Sequence, residues 1–227
     1  MLALFDIDGT LLLGRPSTHQ RALAAALADL ADIPATADDV IAVRPSGRTD
    51  LEIARSVLAM HGRHDGHADA ALEHLAERAG RHFERWSQDG LPDQRTAPGA
   101  ADALTRLAAA DALIAPLTGN LEPIARRKLQ RAGLDGHFAP FGAYGSDAER
   151  REDLVPIARR RGGVPDGRLT VVIGDTPRDI ACAHAGGARA IAVAGPTYDH
   201  ASLAAADAVV AGLAAAADVA LGWRERP

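Results

Sequence analysis

A single cysteine, Cys182, is the only thiol in the chain, so the fold must hold without an internal disulfide. That fits a reducing compartment, and a cytoplasmic location is expected. Aromatic residues make up 4% of the 227 residues, too few for an extended base-stacking platform. A basic excess is also lacking: 25 Lys and Arg face 30 Asp and Glu, for a formal charge of −5, which argues against nucleic acid as a partner. No apolar run reaches the ~18–20 residues a membrane helix needs. The longest candidate, Ala208 to Ala217, stops at Asp218. The first residues, Met1-Leu-Ala-Leu-Phe-Asp, lack the basic start of a secretory signal, so neither secretion nor a membrane partner is expected. Lysine is almost absent. Lys128 is the only one, and arginine supplies every other basic residue.

What remains is an ordinary globular composition, 47% hydrophobic and 24% charged, long enough for one or two domains. Residues 2–7 form a short apolar run ending in acids and Gly9, which reads as a buried strand with polar residues at its carboxyl end. From Ser17 to about Gly90 the pattern is helical. Ser17 with Gln20 and Thr49 with Glu52 have capping-box spacing, and a further helix is expected from about His67 to Trp86. After Leu91-Pro92, strands alternate with helices. Strands are expected at Leu113–Leu117, weakly at Phe138–Tyr144, at Leu169–Ile173, Ala190–Ala194 and Ala208–Val210. Alternation of this kind implies an α/β fold with a parallel sheet covered on both faces. Pro116 sits awkwardly in one of these strands.

Open parallel sheets bind ligands at the carboxyl ends of their strands. There the first strand would deliver Asp6, Asp8, Gly9 and Thr10, the second Thr118, Gly119 and Asn120, and the strand at 169–173 Asp175 and then Asp179. Unit charges 4 Å apart interact by about 4 kcal/mol at an effective dielectric near 20, so four crowded carboxylates call for a cation. All-oxygen ligation suits Mg²⁺, and a magnesium site suits a phosphorylated substrate.

Phe5-Asp6-Ile7-Asp8-Gly9-Thr10-Leu11-Leu12 resembles the D-x-D-G-T-[LV] motif of the haloacid dehalogenase superfamily. Leu117-Thr118-Gly119-Asn120 is similar to its second motif and Gly174-Asp175-Thr176-Pro177-Arg178-Asp179 to its fourth. The helical block resembles a C1-type cap. The resemblance implies a Rossmann-like core of residues 1–14 and 91–227, with a five-strand parallel sheet in the order 5-4-1-2-3, and an inserted cap at 15–90. It also implies Mg²⁺-dependent hydrolysis of a small phosphorylated metabolite, phosphoglycolate-like or a sugar phosphate. Asp6 would be the nucleophile that becomes an aspartyl-phosphate, and Asp8 the general acid/base, its backbone carbonyl touching the metal. Thr118 and the amides after it would hold the phosphoryl group, and Asp175 and Asp179 would complete the metal set. Gly9, Thr10, Gly119, Asn120 and Arg48 are the candidate substrate contacts, and His19 resembles a substrate-sensing histidine of related mutases. On this reading Asp6 is ionised and the Asp8 pKa must rise.

The third motif departs from the family pattern, which usually has a lysine. Spacing back from Pro156 puts Arg151 at that position, with Arg150 as the alternative, while Lys128 lies too early in the chain to serve. A phosphoglucomutase-like transferase and a phospho-acceptor domain that does not turn over are the alternative functions. Monomer and homodimer both remain open.

Overall fold

The structure, a computed structural model, describes residues 1–64, 66–165 and 168–225, without the side chains of His67 and Glu225. Residues 166, 167, 226 and 227 of the expected 91–227 span lie outside the described residues. In chain order, β1 (Leu2–Phe5) and β2 (Leu12–Gly14) lead into five helices. These are α1 (Ser17–Ala31), α2 (Ala37–Ala42), α3 (Asp50–Met60), α4 (Gly66–Glu73) and α5 (Leu75–Trp86). The rest alternates: β3 (Gln94–Thr96), α6 (Ala100–Ala109), β4 (Leu113–Pro116), α7 (Glu122–Arg131), α8 (Leu154–Arg161), β5 (Thr170–Gly174), α9 (Pro177–Ala185), β6 (Arg189–Val193), β7 (Ala208–Val210) and α10 (Leu213–Glu225).

The main sheet has the order β4-β1-β5-β6-β7, with every neighbouring pair parallel. Successive strand residues point to opposite faces. Ala3, Phe5, Val171 and Ile173 accordingly pack with Leu104 of α6, Leu129 of α7 and Ala217 of α10. Leu2, Leu4 and Val172 pack with Val155 of α8 and Ile180 of α9. The helices α1, α3 and α5 bury Leu27, Val57 and Phe83 in a third core, which Leu121 and Ile124 at the start of α7 complete. The register sets Phe5 beside both Pro116 and Ile173, so three strands end level. The residues that follow them therefore emerge at one edge of the sheet.

The expected order 5-4-1-2-3 needs correction at one end. Residues 138–144 form no strand. They lie beside β4 through one bridge, Leu117 to Ala143, and through separate hydrogen bonds from Ala139 N to Ile114 O at 2.8 Å and Ala143 N to Pro116 O at 2.9 Å, while β7 extends the sheet at its other end. Proline explains the failure. Pro116 ends β4 with its nitrogen facing the 138–144 side, because Leu117 donates inward to Phe5 O and Ala143 donates to Pro116 O. Pro140 removes a second donor from the facing segment, so a full ladder cannot form there.

Three local expectations also change. Ser17 does not cap α1 through its side chain; its hydroxyl donates to Asp93 instead. The helix expected over 67–86 is two helices, broken at His74. β2 pairs antiparallel with the unforeseen β3, and this ribbon stands where the helical block leaves and rejoins the chain. Among the described residues no helix is long and apolar enough to cross a membrane.

Candidate active site

Asp6 follows β1 directly, and its amide still donates to Ile173 O at 2.9 Å. The chain then turns through Gly9 at φ +93°, where a Cβ would fall 2.2 Å from Asp175 Oδ2. A side chain there would be strained and would collide with the acid that β5 delivers. Thr10, expected to touch substrate, is buried, and its hydroxyl donates to Asp175 Oδ1 at 3.0 Å. It braces the acid instead.

The carboxylates of Asp6, Asp175 and Asp179 each offer an oxygen within 4.8 Å of the others. Arg151 enters this cluster from the turn before α8. Its guanidinium donates to Asp6 Oδ1 at 3.0 Å and to Asp179 Oδ1 at 2.5 Å. The side chain of Arg151 is 4% exposed, whereas that of Arg150 is 76% exposed and faces Glu152 at 3.9 Å. Asp179 is committed further. Its Oδ2 accepts from Thr176 N at 3.0 Å and Thr176 Oγ1 at 2.7 Å, a capping box that opens α9. Both Asp179 oxygens are thus engaged, and Asp6 and Asp175 hold the freer ones.

Burial raises the Asp6 pKa to about 7, against the pull of Arg151 and with help from the Asp179 and Asp8 charges. Burial likewise raises Asp175 to about 8, reinforced by Asp6 and Asp179. One buried guanidinium does not satisfy three acids. Their raised pKa values and all-oxygen donor set fit a hard divalent cation. Asp6 is therefore harder to ionise in the cation-free protein than a free aspartate.

The Asp8 side chain points away from this cluster. Lys128 Nζ meets its two oxygens at 2.7 and 2.6 Å, Asn120 Nδ2 donates to Oδ2 at 2.9 Å, and Gln94 Nε2 donates to Oδ1 at 2.6 Å. Burial alone would raise the Asp8 pKa, but the Lys128 charge and the hydrogen bonds from Lys128 and Gln94 outweigh it and lower the pKa to about 2. The expected upward shift is therefore absent before substrate arrives. Lys128 is fully buried, and none of the motifs gives it a place at the site. A signal for it existed. Ile124, Ala125, Lys128 and Leu129 form the buried stripe of α7, and the chain's only lysine stands in that apolar pattern.

Thr118 is fully buried, and its hydroxyl accepts from Asn120 Nδ2 at 2.7 Å. Gly119 admits the loop between α2 and α3: a Cβ there would lie 2.0 Å from Arg48 O, and Gly119 O accepts from Asp50 N at 2.7 Å. Arg48 lines the cavity, yet its guanidinium is taken up by Val43 O, Ser56 and Glu52. The cavity is about 360 Å³ and reaches from Asp6, Asp8, Thr118 and Asp175 up to His19, Arg44 and Ile53 of the helical block.

The model of the haloacid dehalogenase-like hydrolases matches residues 1–187, and the chain belongs to that family. It is a hydrolase with a Rossmann-like core. Solved structures share the fold. CbbY from Rhodobacter sphaeroides, in complex with phosphate, is 21% identical over 94% of each chain with a TM-score of 0.68. The same protein in complex with xylulose-1,5-bisphosphate is 20% identical over 94% of each chain, with a TM-score of 0.67. A hydrolase from Pseudomonas syringae is 23% identical over 99% of this chain and 98% of its own, with a TM-score of 0.65. No curated protein matches the sequence significantly.

Proposed function

We propose that the protein is a Mg²⁺-dependent phosphatase that hydrolyses a small phosphomonoester through a covalent phosphate on Asp6. The observation that carries this reading is the meeting of Asp6, Asp175 and Asp179 around Arg151 at the floor of a cavity that residues of the helical block roof over. Residues 1–14 and 91–227 supply the chemistry, and residues 15–90 act as the cap that selects substrate. The phosphate and bisphosphate bound by CbbY support a small phosphorylated metabolite as the substrate.

An Asp6 oxygen attacks phosphorus, and the phosphorus–oxygen bond to the leaving alcohol breaks. Arg151 holds Asp6 against Asp179 and supplies a fixed positive charge beside the incoming phosphate. Asp6 and Asp175, with Asp179 behind them, would hold Mg²⁺, whose charge offsets the repulsion between two anions. Asp8 gives the leaving oxygen a proton and later takes one from the water that cleaves the acyl phosphate, returning Asp6 and releasing inorganic phosphate. Because Asp8 is ionised in the free protein, its proton arrives with the substrate: a phosphate monoester has its second pKa near 6, inside the working range. Asn120 and Thr118 form the wall on the Asp8 side.

The test is release of inorganic phosphate from a panel of small phosphomonoesters, with Mg²⁺ and with excess EDTA. Turnover with Mg²⁺ and its loss on chelation are expected. Undiminished release in EDTA removes the metal from the proposal, and transfer of the phosphoryl group to a second sugar phosphate without free phosphate replaces hydrolysis by a mutase reaction.

A further inference from the structure

Asp8 is held by a cation that the phosphatase chemistry above does not use. Lys128 lies on α7, a helix of the core, and none of its surface is exposed. Its ammonium group has three protons and meets four groups: both Asp8 oxygens, Asn120 Oδ1 at 2.8 Å and His19 Nδ1 at 3.2 Å. Lysine can only donate, so His19 Nδ1 accepts and its Nε2–H donates to Asp50 Oδ2 at 2.8 Å. Asp50 Oδ2 also accepts from Leu121 N at 2.7 Å. A continuous set of polar contacts thus runs from Asp50 on α3, through His19 on α1 and Lys128, to the carboxylate at the cavity wall. A buried charge held with this many partners is set in place by its surroundings, and it sets its partners in turn.

We propose that Lys128 is the positioning residue for Asp8: it fixes the carboxylate at the cavity wall, turned away from the Asp6, Asp175 and Asp179 cluster, where it can serve the leaving group. The geometry leaves Asp8 little freedom to choose otherwise. Without Lys128, Gln94 and Asn120 would hold one oxygen each, and Asp8 would keep no ion-pair partner among the described residues. Lys128 does not touch Asp6, Asp175, Asp179 or Arg151 in any hydrogen bond among the described residues, so it acts on one half of the site only. The inference rests on the phosphatase reading, in which Asp8 protonates the departing oxygen.

The experiment compares two esters, an alkyl phosphate whose alkoxide needs a proton to leave and an aryl phosphate whose activated phenolate needs none. Lys128→Met keeps the volume and removes the ammonium group. It should lose at least about 10²-fold in kcat/KM on the alkyl ester, the lower range of acid–base catalysis, and less than tenfold on the aryl ester, because kcat/KM ends at transfer to Asp6 and leaves out the later hydrolysis that both esters share. A structural defect lowers both by the same factor, and that result overturns the inference. Removing one partner of a buried pair threatens folding, so the second variant is Asp8→Asn with Lys128→Met, which removes both charges. It should hydrolyse the aryl ester at the rate of Asp8→Asn alone, because a lysine that works only through Asp8 has nothing left to position. A further tenfold drop, or failure of the double variant to fold while Asp8→Asn folds, overturns the inference. If the wild-type protein hydrolyses neither ester, the phosphatase reading itself falls and takes this inference with it. If the wild type hydrolyses both and the two losses are equal, only the role of Lys128 falls.

Discussion

Asp6 and Arg151 are the two residues on which the chemistry turns, and each is isolated enough to test. Asp6→Asn keeps the side-chain volume and leaves an acceptor for Arg151. It should abolish phosphate release while the thermal midpoint stays within a few degrees of wild type, and turnover above a hundredth of wild type would remove Asp6 as nucleophile. Arg151 is both scaffold and electrostatic donor, since it joins Asp6 to Asp179. Arg151→Ala should lose roughly 2–4 kcal/mol of transition-state stabilisation, because the one nitrogen that donates to both acids is gone, and Arg151→Lys should recover part of it because the charge survives. Arg150→Ala, at a side chain 76% exposed, should leave kcat/KM within twofold. A crippled Arg150→Ala beside a near-normal Arg151→Ala would transfer the role to Arg150. The contrast with Lys128 shows what sequence could give at this scale. Arg151 has a fixed spacing from Pro156, which a motif records. Lys128 reaches Asp8 across 120 residues, and only packing creates that contact.

Among the elements, the loop between α2 and α3 sits closely on the core. Gly47 takes φ +69°, and a Cβ there would lie 2.8 Å from Thr176 Oγ1 and 2.9 Å from Arg178 Cβ. This glycine lets a segment of the helical block rest on the start of α9, beside the contact of Ser46 with Tyr198 across 3.3 Å. Gly47→Ala therefore pushes the loop off the core and strains its backbone, by about 1 kcal/mol or more. KM should rise about fivefold or more while the thermal midpoint, set by the two faces of the sheet, moves little. An unchanged KM would mean that the loop does not need this seat. The alternation of strands and helices after residue 91 was legible because it is a local pattern. The missing strand at 138–144 was not, because it depends on two prolines, Pro116 and Pro140, each removing a donor from the two segments that would have paired. Ser17 misled for a similar reason: its capping spacing is local, but the acceptor that wins its hydroxyl is Asp93, 76 residues away.

Over the whole molecule, the crowded acids couple metal, protons and stability. Asp175 and Asp6 have pKa values of about 8 and about 7 in the folded chain, against about 3.9 for an unfolded aspartate. Between pH 4 and 8 the folded protein therefore binds more protons at these sites than the unfolded one. Stability is fully present below the unfolded pKa and is lost as pH rises through the folded values. The metal-free protein should melt at a lower temperature at pH 8 than at pH 5.5. A divalent cation competes with those protons, so the gain in melting temperature on adding Mg²⁺ should be larger at pH 8 than at pH 5.5. Asp175→Asn separates this from every other titrating group. The amide oxygen can still accept from Thr10, while the buried negative charge is gone. In EDTA, this variant should gain on wild type as pH rises from 5.5 to 8, and it should lose most of the Mg²⁺ response. Thermal melts of both proteins at the two pH values, with EDTA and with Mg²⁺, measure all of these differences without any substrate. A Mg²⁺ gain that is equal at both pH values, or that survives in Asp175→Asn, would place the cation elsewhere or remove it from the site.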